Sequence, residues 1–306
     1  MRRLVLLIAV VSVGCGSSSP GSGGGSGASG GGGGAGAGGG TNSTGGGSGG
    51  TGGGGVAAGG GTATGGGSGG SGGAGGGAAT GGGGPKGCAG STYKLCEDFE
   101  LGNVGATPTG WTALPGYGVG TVGLATDQAR SGVKALKSES NDDGQPRVQK
   151  NISSLGAVGG THWGRIFFKV QIPAPKPNTY YHVTFVALRE AGNESRVVDT
   201  VQDPSGKLQY IYNLPDDSCC NGSAYDYKFD DKWHCVEWHV DVTNNSYQFF
   251  LDSVEIPSIG FTNKPAARLK TFTSIAVGNI FYQVPNISLV TWFDDLAIND
   301  TKIGCN

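Results

Sequence analysis

A long glycine-rich tract confines the folded part of this chain to its C-terminal region. Residues 16–86 are almost entirely Gly, Ser, Ala and Thr, with no acidic residue and one lysine at the end. Such a segment buries too little apolar surface to offset the entropy of ordering it, so we predict a flexible tether. As a coil it would span about 45 Å root-mean-square. The working domain is therefore expected at 87–306, which is long enough for one substantial core.

The first 15 residues predict export. The stretch MRRLVLLIAVVSVGC has two arginines, an apolar run and a small residue before Cys15, as in a secretory signal, and it is too short to span a membrane. Its end, SVGC, resembles a bacterial lipobox, although Ser12 stands where leucine is usual. We expect a lipoprotein at the outer membrane or cell surface, or alternatively a secreted protein. Acyl chains on Cys15 would anchor it without a transmembrane helix.

The charge of the predicted domain argues against several kinds of partner. Removing Arg2, Arg3 and Lys86 from the 21 Lys and Arg leaves 18 basic against 23 acidic residues, a formal charge near −5. Nucleic acids and anionic membranes are disfavoured by this balance. An anionic sugar is still compatible with it, because a few basic residues in one cleft outweigh the net charge locally. We expect the domain to be a monomer.

The cysteines also suit an exported protein. Cys15 belongs to the predicted signal, which leaves six: Cys88, Cys96, Cys219, Cys220, Cys235 and Cys305. Fifteen pairings of six cysteines are possible in principle. No CxxC pair or histidine cluster accompanies them, so disulfides are favoured over a metal site.

Short alternating segments predict an all-β domain. They are rich in Val, Ile, Tyr and Phe and are separated by turn signals such as DPSG at 203–206. The predicted strands are 134–139, 147–152, 163–172, 180–189, 195–202, 207–213, 234–243, 246–252, 272–281 and 289–298. No segment has a convincing helical pattern. So many short strands in one domain indicate a sandwich or jelly roll.

One segment, HCVEWHVDV, predicts which side of its strand faces water. Val236 and Trp238 share one parity, and Glu237 and His239 share the other, which we expect to be the wet face. His239 is interpreted as a cross-strand surface residue rather than a ligand. In the following segment a hairpin is predicted around Asp252-Ser253.

Five segments, taken in order, resemble a known family. They are CEDFELG, ARSGVKALK, YYHVTFVALRE, WHCVEWHV and TWFDDLAINDTKIGC. In this order and spacing they are similar to the Cip1-like core domain, a concanavalin-A-like jelly roll related to the glucuronan lyases. The resemblance covers nearly all of 95–305 and is looser at 101–125 and 214–232. It implies a jelly-roll β-sandwich for the domain.

The resemblance also implies a structural calcium ion that ties the first strand to the last. Its ligands match Glu100, Ser131 and Asp294, with the backbone carbonyl near Asp98. Ca²⁺ takes six to eight oxygen ligands, typically carboxylates and carbonyls, which agrees with these residues. The alternative is that Asp294 or Asp295 is simply exposed at a strand edge.

A disulfide pairing follows from the resemblance as well. The family suggests Cys235–Cys305, which would fix the C-terminal tail, and leaves Cys88–Cys96 as a local loop. Cys219 and Cys220 remain as neighbours whose pairing stays open.

The candidate site is on the strands around YYHVTFVALREAGNESRVVDTVQ. If the two strands are antiparallel neighbours, His182 and Arg196 can project from the same sheet. Arg196 is predicted to share its parity with Val198, Thr200 and Gln202. The resemblance matches His182 and Arg196 to the charged residues of glucuronan lyases, Tyr282 to a tyrosine near the last strand, and Asp217 to an acidic residue in the cleft.

β-Elimination on a polyuronate explains these residue types. An arginine neutralises the carboxylate beside the acidic carbon, a histidine or tyrosine takes the proton, and a tyrosine protonates the leaving oxygen. The predicted set is Arg196, His182 and Tyr282, with Asp217 in the cleft. The family's glutamine falls on Thr200 here, so Gln202, or Gln209 across the hairpin, would have to replace it.

The sequence therefore predicts a possible polysaccharide lyase acting on an acidic polysaccharide. A non-catalytic carbohydrate-binding module on a tether is the alternative, and a histidine in a strand is often structural. Tryptophans 111, 163, 233 and 238 are interpreted mainly as core residues rather than sugar platforms. No E-x-D-x-x-E run or G-x-S-x-G elbow supports a glycosidase or a serine hydrolase.

Overall fold

The structure is a computed structural model of the chain. It describes residues 87–88, 90–114, 119–141, 144–174, 181–190, 193–202, 208–213, 221–222, 228–263, 269, 271–282 and 288–306. These residues belong to the second of two compact units, Gly81–Asn306. The predicted signal with Cys15, the tether, Asp217 and Cys219–Cys220 lie outside the described residues.

Fifteen strands and one 3-10 helix, Ser153–Gly159, make up the described part of the domain, which contains no α-helix. The strands are β1 Leu95–Glu97, β2 Thr112–Ala113, β3 Val119–Ala125, β4 Ala135–Asn141, β5 Arg147–Asn151, β6 His162–Val170, β7 Tyr181–Glu190, β8 Asn193–Gln202, β9 Leu208–Asn213, β10 Asn221–Gly222, β11 His234–Asp241, β12 Ser246–Leu251, β13 Val254–Glu255, β14 Ser274–Tyr282 and β15 Ser288–Asn299.

The strands form two antiparallel sheets, as the prediction of a jelly-roll sandwich requires. One sheet has eight strands in the order β13-β12-β11-β6-β15-β4-β3, with β1 paired to β15. The other has seven, in the order β10-β9-β8-β7-β14-β5-β2. Both sheets combine hairpins such as β11-β12 and β7-β8 with pairings of strands distant in sequence such as β4-β15 and β7-β14, as in a jelly roll.

The hydrophobic core lies between the two sheets. Phe185 of the seven-stranded sheet packs against Phe168 and Phe293 of the other sheet, with ring centroids 5.2 and 5.6 Å apart. Trp238 is fully buried on β11, and its indole N–H donates to His162 Nε2 at 3.1 Å. Within the described residues, no helix is long and apolar enough to cross a membrane.

All ten predicted strands are present, with ends shifted by two residues at most. The hairpin at Asp252-Ser253 is also confirmed, since these two residues join β12 to β13 and both have positive φ, at 48° and 71°. Besides the short strands β1, β2 and β10, strand β3 was not predicted. Its sequence, VGTVGLA, carries two glycines that weaken the alternation, and its pairing with β4 is decided by tertiary contacts.

The C-terminal tail corrects the prediction of a wet face on β11. Glu237 is fully buried, because its Oε1 accepts hydrogen bonds from the backbone N–H groups of Ile303 and Gly304 at 2.8 and 2.7 Å. The Cys235–Cys305 disulfide holds this tail on the strand, and Cys88–Cys96 closes a local loop before β1. Both pairings implied by the resemblance are therefore confirmed.

Candidate functional site

The candidate residues lie on the side of the seven-stranded sheet that faces away from the core, here called the outer face. Val183, Phe185 and Leu188 of β7 belong to the core. His182, Thr184 and Ala187 alternate with them and therefore lie on the outer face. Ala187, Ala276 and Ile280 form a small buried cluster of their own there, separate from the main core.

His182 is held by a buried carboxylate on the outer face. Its Nε2 lies 2.6 Å from Asp199 Oδ2, and the other oxygen, Oδ1, accepts the Thr184 hydroxyl at 2.9 Å. His182 is 6% exposed, and both Asp199 and Thr184 are fully buried. The side-chain hydrogen bonds fix the orientation of the imidazole ring. Asp199 was not predicted, although it is the one charged residue in the apolar run VVDTV.

Tyr282 occupies the position opposite His182 on the neighbouring strand. In the β14–β7 register Tyr282 pairs with His182, and residues directly opposite each other share a sheet face. The sheet therefore brings these two predicted positions together. For Tyr282, and for Gln209 on β9, only the backbone is described.

Gln202 lies on the opposite side of the sheet from Arg196, which corrects the predicted shared parity. Irregularities in the β7–β8 register occur between Thr184 and Ala187, and both Val197 and Val198 of β8 enter the core. Because the consecutive residues Val197 and Val198 both enter the core, the alternation of inward and outward side chains along β8 is inverted at this point. Arg196 consequently faces outward, whereas Gln202 faces the core side. Gln202 is 3% exposed, and its buried Oε1 has no described hydrogen-bond partner.

Thr200 also lies on the core side of β8. It pairs with the core residue Val183, and its hydroxyl donates to the carbonyl of Val183 at 3.2 Å. Neither Thr200 nor Gln202 therefore stands beside His182 on the outer face.

Arg196 belongs to a group of charged side chains at the other end of the outer face. Its Nε lies 3.7 Å from Glu194 Oε1. The other oxygen of this carboxylate accepts from Arg147 Nη1 at 2.6 Å and lies 3.4 Å from Arg189 Nε. Arg189 also donates to Gln149 Oε1. Three guanidinium groups thus surround one carboxylate, and of the three only Arg196 was predicted.

His182 and Arg196 share a face but are separated along it. Arg196 pairs with Ala187, five positions from His182 on β7. At about 3.3 Å per residue, this corresponds to about 16 Å along the strand. The floor between them is Ala187 and Ala276, which pair with each other across β7 and β14. The outer face therefore has a histidine–aspartate end and an arginine end.

The four predicted calcium ligands lie around one turn at 130–134, where β1 meets β15. Asp294 Oδ2 accepts the N–H groups of Arg130 and Ser131 at 2.8 and 3.2 Å. Glu100 Oε1 accepts those of Val133 and Lys134 at 2.7 and 2.8 Å. Asp98 is next to this turn, since its Oδ1 accepts from the Glu100 N–H at 3.4 Å.

A second buried aspartate stands beside Asp294. Asp295 accepts the Ser131 hydroxyl at 2.7 Å and pairs with Arg130 at 2.5 Å. Both aspartates are fully buried, so neither is exposed at a strand edge as the alternative supposed. Burial, together with the charge of Asp295, raises the pKa of Asp294 to about 8. Across the described residues, no group of three His, Cys, Asp or Glu is arranged as a metal site.

The tryptophans divide between core and surface. Trp111 and Trp238 are buried, at 7% and 0% exposed, while Trp163 and Trp233 are half-buried. Trp163 stacks on His239 with ring centroids 4.5 Å apart, and His239 Nδ1 lies 3.1 Å from Gln248 Oε1 on the next strand. His239 is thus a cross-strand residue on the eight-stranded sheet, remote in topology from His182.

Comparison with solved structures finds several chains that are similar to this one. Cip1, described as a cellulose induced protein, is 20% identical with a TM-score of 0.51, over 69% of this chain and 100% of that chain. The chain shares its fold with Cip1. An endo-β-1,4-glucuronan lyase from the fungus Trichoderma reesei gives 14% identity and a TM-score of 0.48, over 69% and 96% of the two chains. The receptor binding domain of botulinum neurotoxin C/D mosaic serotype is 11% identical with a TM-score of 0.46, over 69% of this chain and 48% of that chain.

Comparisons by sequence find no match, either among protein-family models or among curated proteins. The Cip1-like jelly roll, which the resemblance implied, is therefore established at the level of the fold. At this identity the likeness does not transfer an activity, so function has to be argued from the residues of the site.

Proposed function

We propose that this domain cleaves an acidic polysaccharide of the glucuronan type by β-elimination on the outer face of the seven-stranded sheet. The observation that carries the proposal is the His182–Asp199 pair, buried and oriented, directly across the strand from the Tyr282 position. Arg147, Arg189 and Arg196 lie on the same face around Glu194 and supply guanidinium groups of the kind that bind carboxylates.

The geometry suits proton abstraction. In the tautomer that donates Nε2–H to Asp199, the basic lone pair of His182 is on Nδ1. His182 would take the proton from the carbon beside the uronate carboxylate. The electrons of that C–H bond form the new C=C bond, the glycosidic C–O bond breaks, and the Tyr282 hydroxyl protonates the leaving oxygen. A guanidinium that binds the carboxylate stabilises the charge that develops on it.

The test follows the unsaturated product. Full-length protein is mixed with glucuronan, alginate or polygalacturonate, and ultraviolet absorbance reports the conjugated double bond. We expect His182→Gln and Tyr282→Phe to lower the rate by about 10²–10⁴, the usual contribution of a general acid or base. Asp199→Asn should lower kcat with little change in KM, because Asp199 positions the base and does not touch the polymer. His239→Gln, on the other sheet, is the matched control.

A flat absorbance trace from folded wild-type protein on every polymer would rule out the lyase.

A non-catalytic carbohydrate-binding module is the second candidate, and one observation favours it. Arg196 is separated from His182 by about 16 Å of strand at 3.3 Å per residue. A lyase needs its carboxylate neutraliser beside its base, whereas a binding face tolerates the separation. Binding of the same polymers without elimination would identify the module.

We also propose a structural calcium ion at the 130–134 turn. The donor chemistry fits, because Glu100, Ser131, Asp294 and the Asp98 carbonyl all present oxygen atoms, which hard cations prefer. Asp294 and Asp295 place two carboxylates in a buried site, where Arg130 pairs with Asp295 and the buried guanidinium of Arg165 lies near it. When bound, the ion would neutralise carboxylate charge and connect β1 to β15.

A further inference from the structure

Strand β14 has one residue more than its neighbour β7 over part of their pairing. Val277 lies opposite Val186, and Ile280 lies opposite Thr184. From one pair to the next, β14 therefore advances by three residues and β7 by two. Residues 278–279 stand together opposite a single residue of β7, which is the pattern of a β-bulge.

This bulge determines which residue of β14 lies opposite His182. With the bulge, Tyr282 occupies that position and Phe281 lies opposite Val183. If the pairing that starts at Val277 continued without a bulge, Phe281 would lie opposite His182 instead. A slip of one residue exchanges the two faces of a strand, so Phe281 and Tyr282 would change sides. The proposed catalytic pair therefore depends on the bulge.

Asn279 ties the bulge to the opposite sheet. Its side-chain Nδ2 donates to the carbonyls of Ser138 on β4 and Leu289 on β15, at 3.1 and 3.0 Å. Its backbone N–H donates to Ser138 Oγ at 3.0 Å and to the Pro146 carbonyl at 3.2 Å. Asn279 and Ser138 are both fully buried. Breaking these bonds would leave buried polar groups unpaired, so they oppose a slip of register.

The residue before Asn279 has the backbone conformation that the bulge requires. Gly278 has a φ of +138°, which side chains of L-residues rarely allow. A Cβ there would lie 2.3 Å from the Pro146 carbonyl oxygen and 2.7 Å from Arg147 Cα. Beyond the bulge, the Phe281 N–H donates to the Gly144 carbonyl at 3.3 Å. Backbone and side-chain contacts thus fix the same bulge.

We infer that Asn279 is a positioning residue that acts through Tyr282, because the bulge it fixes holds Tyr282 and not Phe281 opposite His182. This inference rests on the proposed function and adds to it a residue that lies inside the sandwich and does not touch the polymer. An interaction that matters only in the transition state changes kcat and leaves KM unchanged. Loss of Asn279 should therefore lower kcat alone.

Two measurements on full-length protein separate the register from the reaction. Nuclear Overhauser contacts between backbone protons of residues 182 and 282 report the register, and the absorbance assay on glucuronan gives kcat and KM. We expect Asn279→Ala to abolish the contact and to lower kcat about tenfold or more, as displacement of a general acid implies. Combined with Tyr282→Phe it should cause no further loss, because both changes remove the same proton donor.

Two further variants complete the test. Ser138→Ala removes one acceptor of the Asn279 N–H and should weaken the contact and kcat in the same direction, so it decides the question if Asn279→Ala does not fold. Val148→Ala truncates a fully buried side chain on β5, opposite Val277. As the matched control it should lower the melting temperature and leave the contact and kcat unchanged.

A 182–282 contact that persists in the folded variants at Asn279 and Ser138, or that is absent from wild-type protein, would overturn the inference. Independent losses of kcat that multiply in the double variant would overturn it as well. If wild-type protein gives no elimination but the contact depends on Asn279, the positioning of Tyr282 stands and the lyase fails. Elimination by wild-type protein with a contact that does not depend on Asn279 has the opposite meaning.

Discussion

His234 has one carboxylate on each ring nitrogen. Its Nδ1 lies 2.7 Å from Asp252 Oδ2, and its Nε2 lies 2.8 Å from Asp230 Oδ1. Burial lowers the pKa of His234, but the hydrogen bonds and charges of the two aspartates outweigh it and raise the pKa above its ordinary value. Burial raises the pKa of Asp230, but hydrogen bonds to Lys232 and His234 outweigh it and lower that pKa to about 2.

These shifts predict how stability depends on pH. The contribution of His234 is complete below its ordinary pKa near 6.5 and is lost as the pH rises through its raised value. The contribution of Asp230 and Asp252 to stability is present above their ordinary pKa of 3.8 and is lost as the pH falls below that value. We expect His234→Gln to lower the free energy of unfolding by about 1 kcal/mol between pH 3.8 and pH 6.5, and by less towards alkaline pH.

Urea unfolding of wild type and His234→Gln from pH 4 to 9 measures this difference directly. His239→Gln serves as a control, since its described hydrogen bond is to the neutral side chain of Gln248. A difference that grows steadily towards pH 9 would contradict the assignment of His234 as the cationic partner.

The contact of β6 with β11 depends on a residue that has no side chain. Gly164 of β6 pairs with Trp238 of β11, and a Cβ at this glycine would lie 2.1 Å from Trp238 Cε2 and Cζ2. Trp238 is fully buried and hydrogen-bonded to His162, so it has no room to move. The close approach of strand and indole is therefore built on glycine.

Gly164→Ala should accordingly destabilise the domain by about 1–3 kcal/mol, the cost of overpacking a core. Denaturant unfolding measures the change in the midpoint at constant slope. Gly105→Ala is a weaker control for packing, because nothing lies within 4 Å of a Cβ there, although its φ of +82° adds backbone strain. Equal stability of wild type and Gly164→Ala would mean that Trp238 has an alternative position.

At the scale of the whole molecule, two connections hold the ends of the domain to the sheets. The Cys235–Cys305 disulfide closes a loop with a sequence separation of 70 and places the C-terminal tail over Glu237. The 130–134 turn joins Glu100, just after β1, to Asp294 of β15. Residues distant in sequence meet at both places, so each link stabilises the topology and not one strand alone.

Calcium removal tests the second connection. If the proposed ion binds only the folded state, calcium at about 100 times its Kd should stabilise the protein by about 2.7 kcal/mol. We expect chelation to lower the melting temperature of wild-type protein and to leave Asp294→Asn unaffected. Magnesium at the same concentration is the control. A melting temperature that is identical with and without calcium would exclude the ion.

The amino-acid sequence by itself determined the all-β class and most strand positions of the described domain. These features depend on local alternation and composition, which are read over a few neighbouring residues. Both described disulfides were predicted through the family resemblance, and the alternation of the two strands predicted that His182 and Arg196 project from the same sheet. His182 faces outward because its own strand alternates regularly as far as Phe185.

The tertiary structure alone decided which residues share the site. The irregularity of β8 at Val197 and Val198 placed Gln202 on the core side. The β14–β7 register placed Tyr282 opposite His182, and the β7–β8 register placed Arg196 five positions away from His182 along β7. Asp199, Arg147, Arg189 and Glu194 meet across strands that are separated in sequence. Bulges and register follow from the packing of whole sheets, which short-range alternation does not encode.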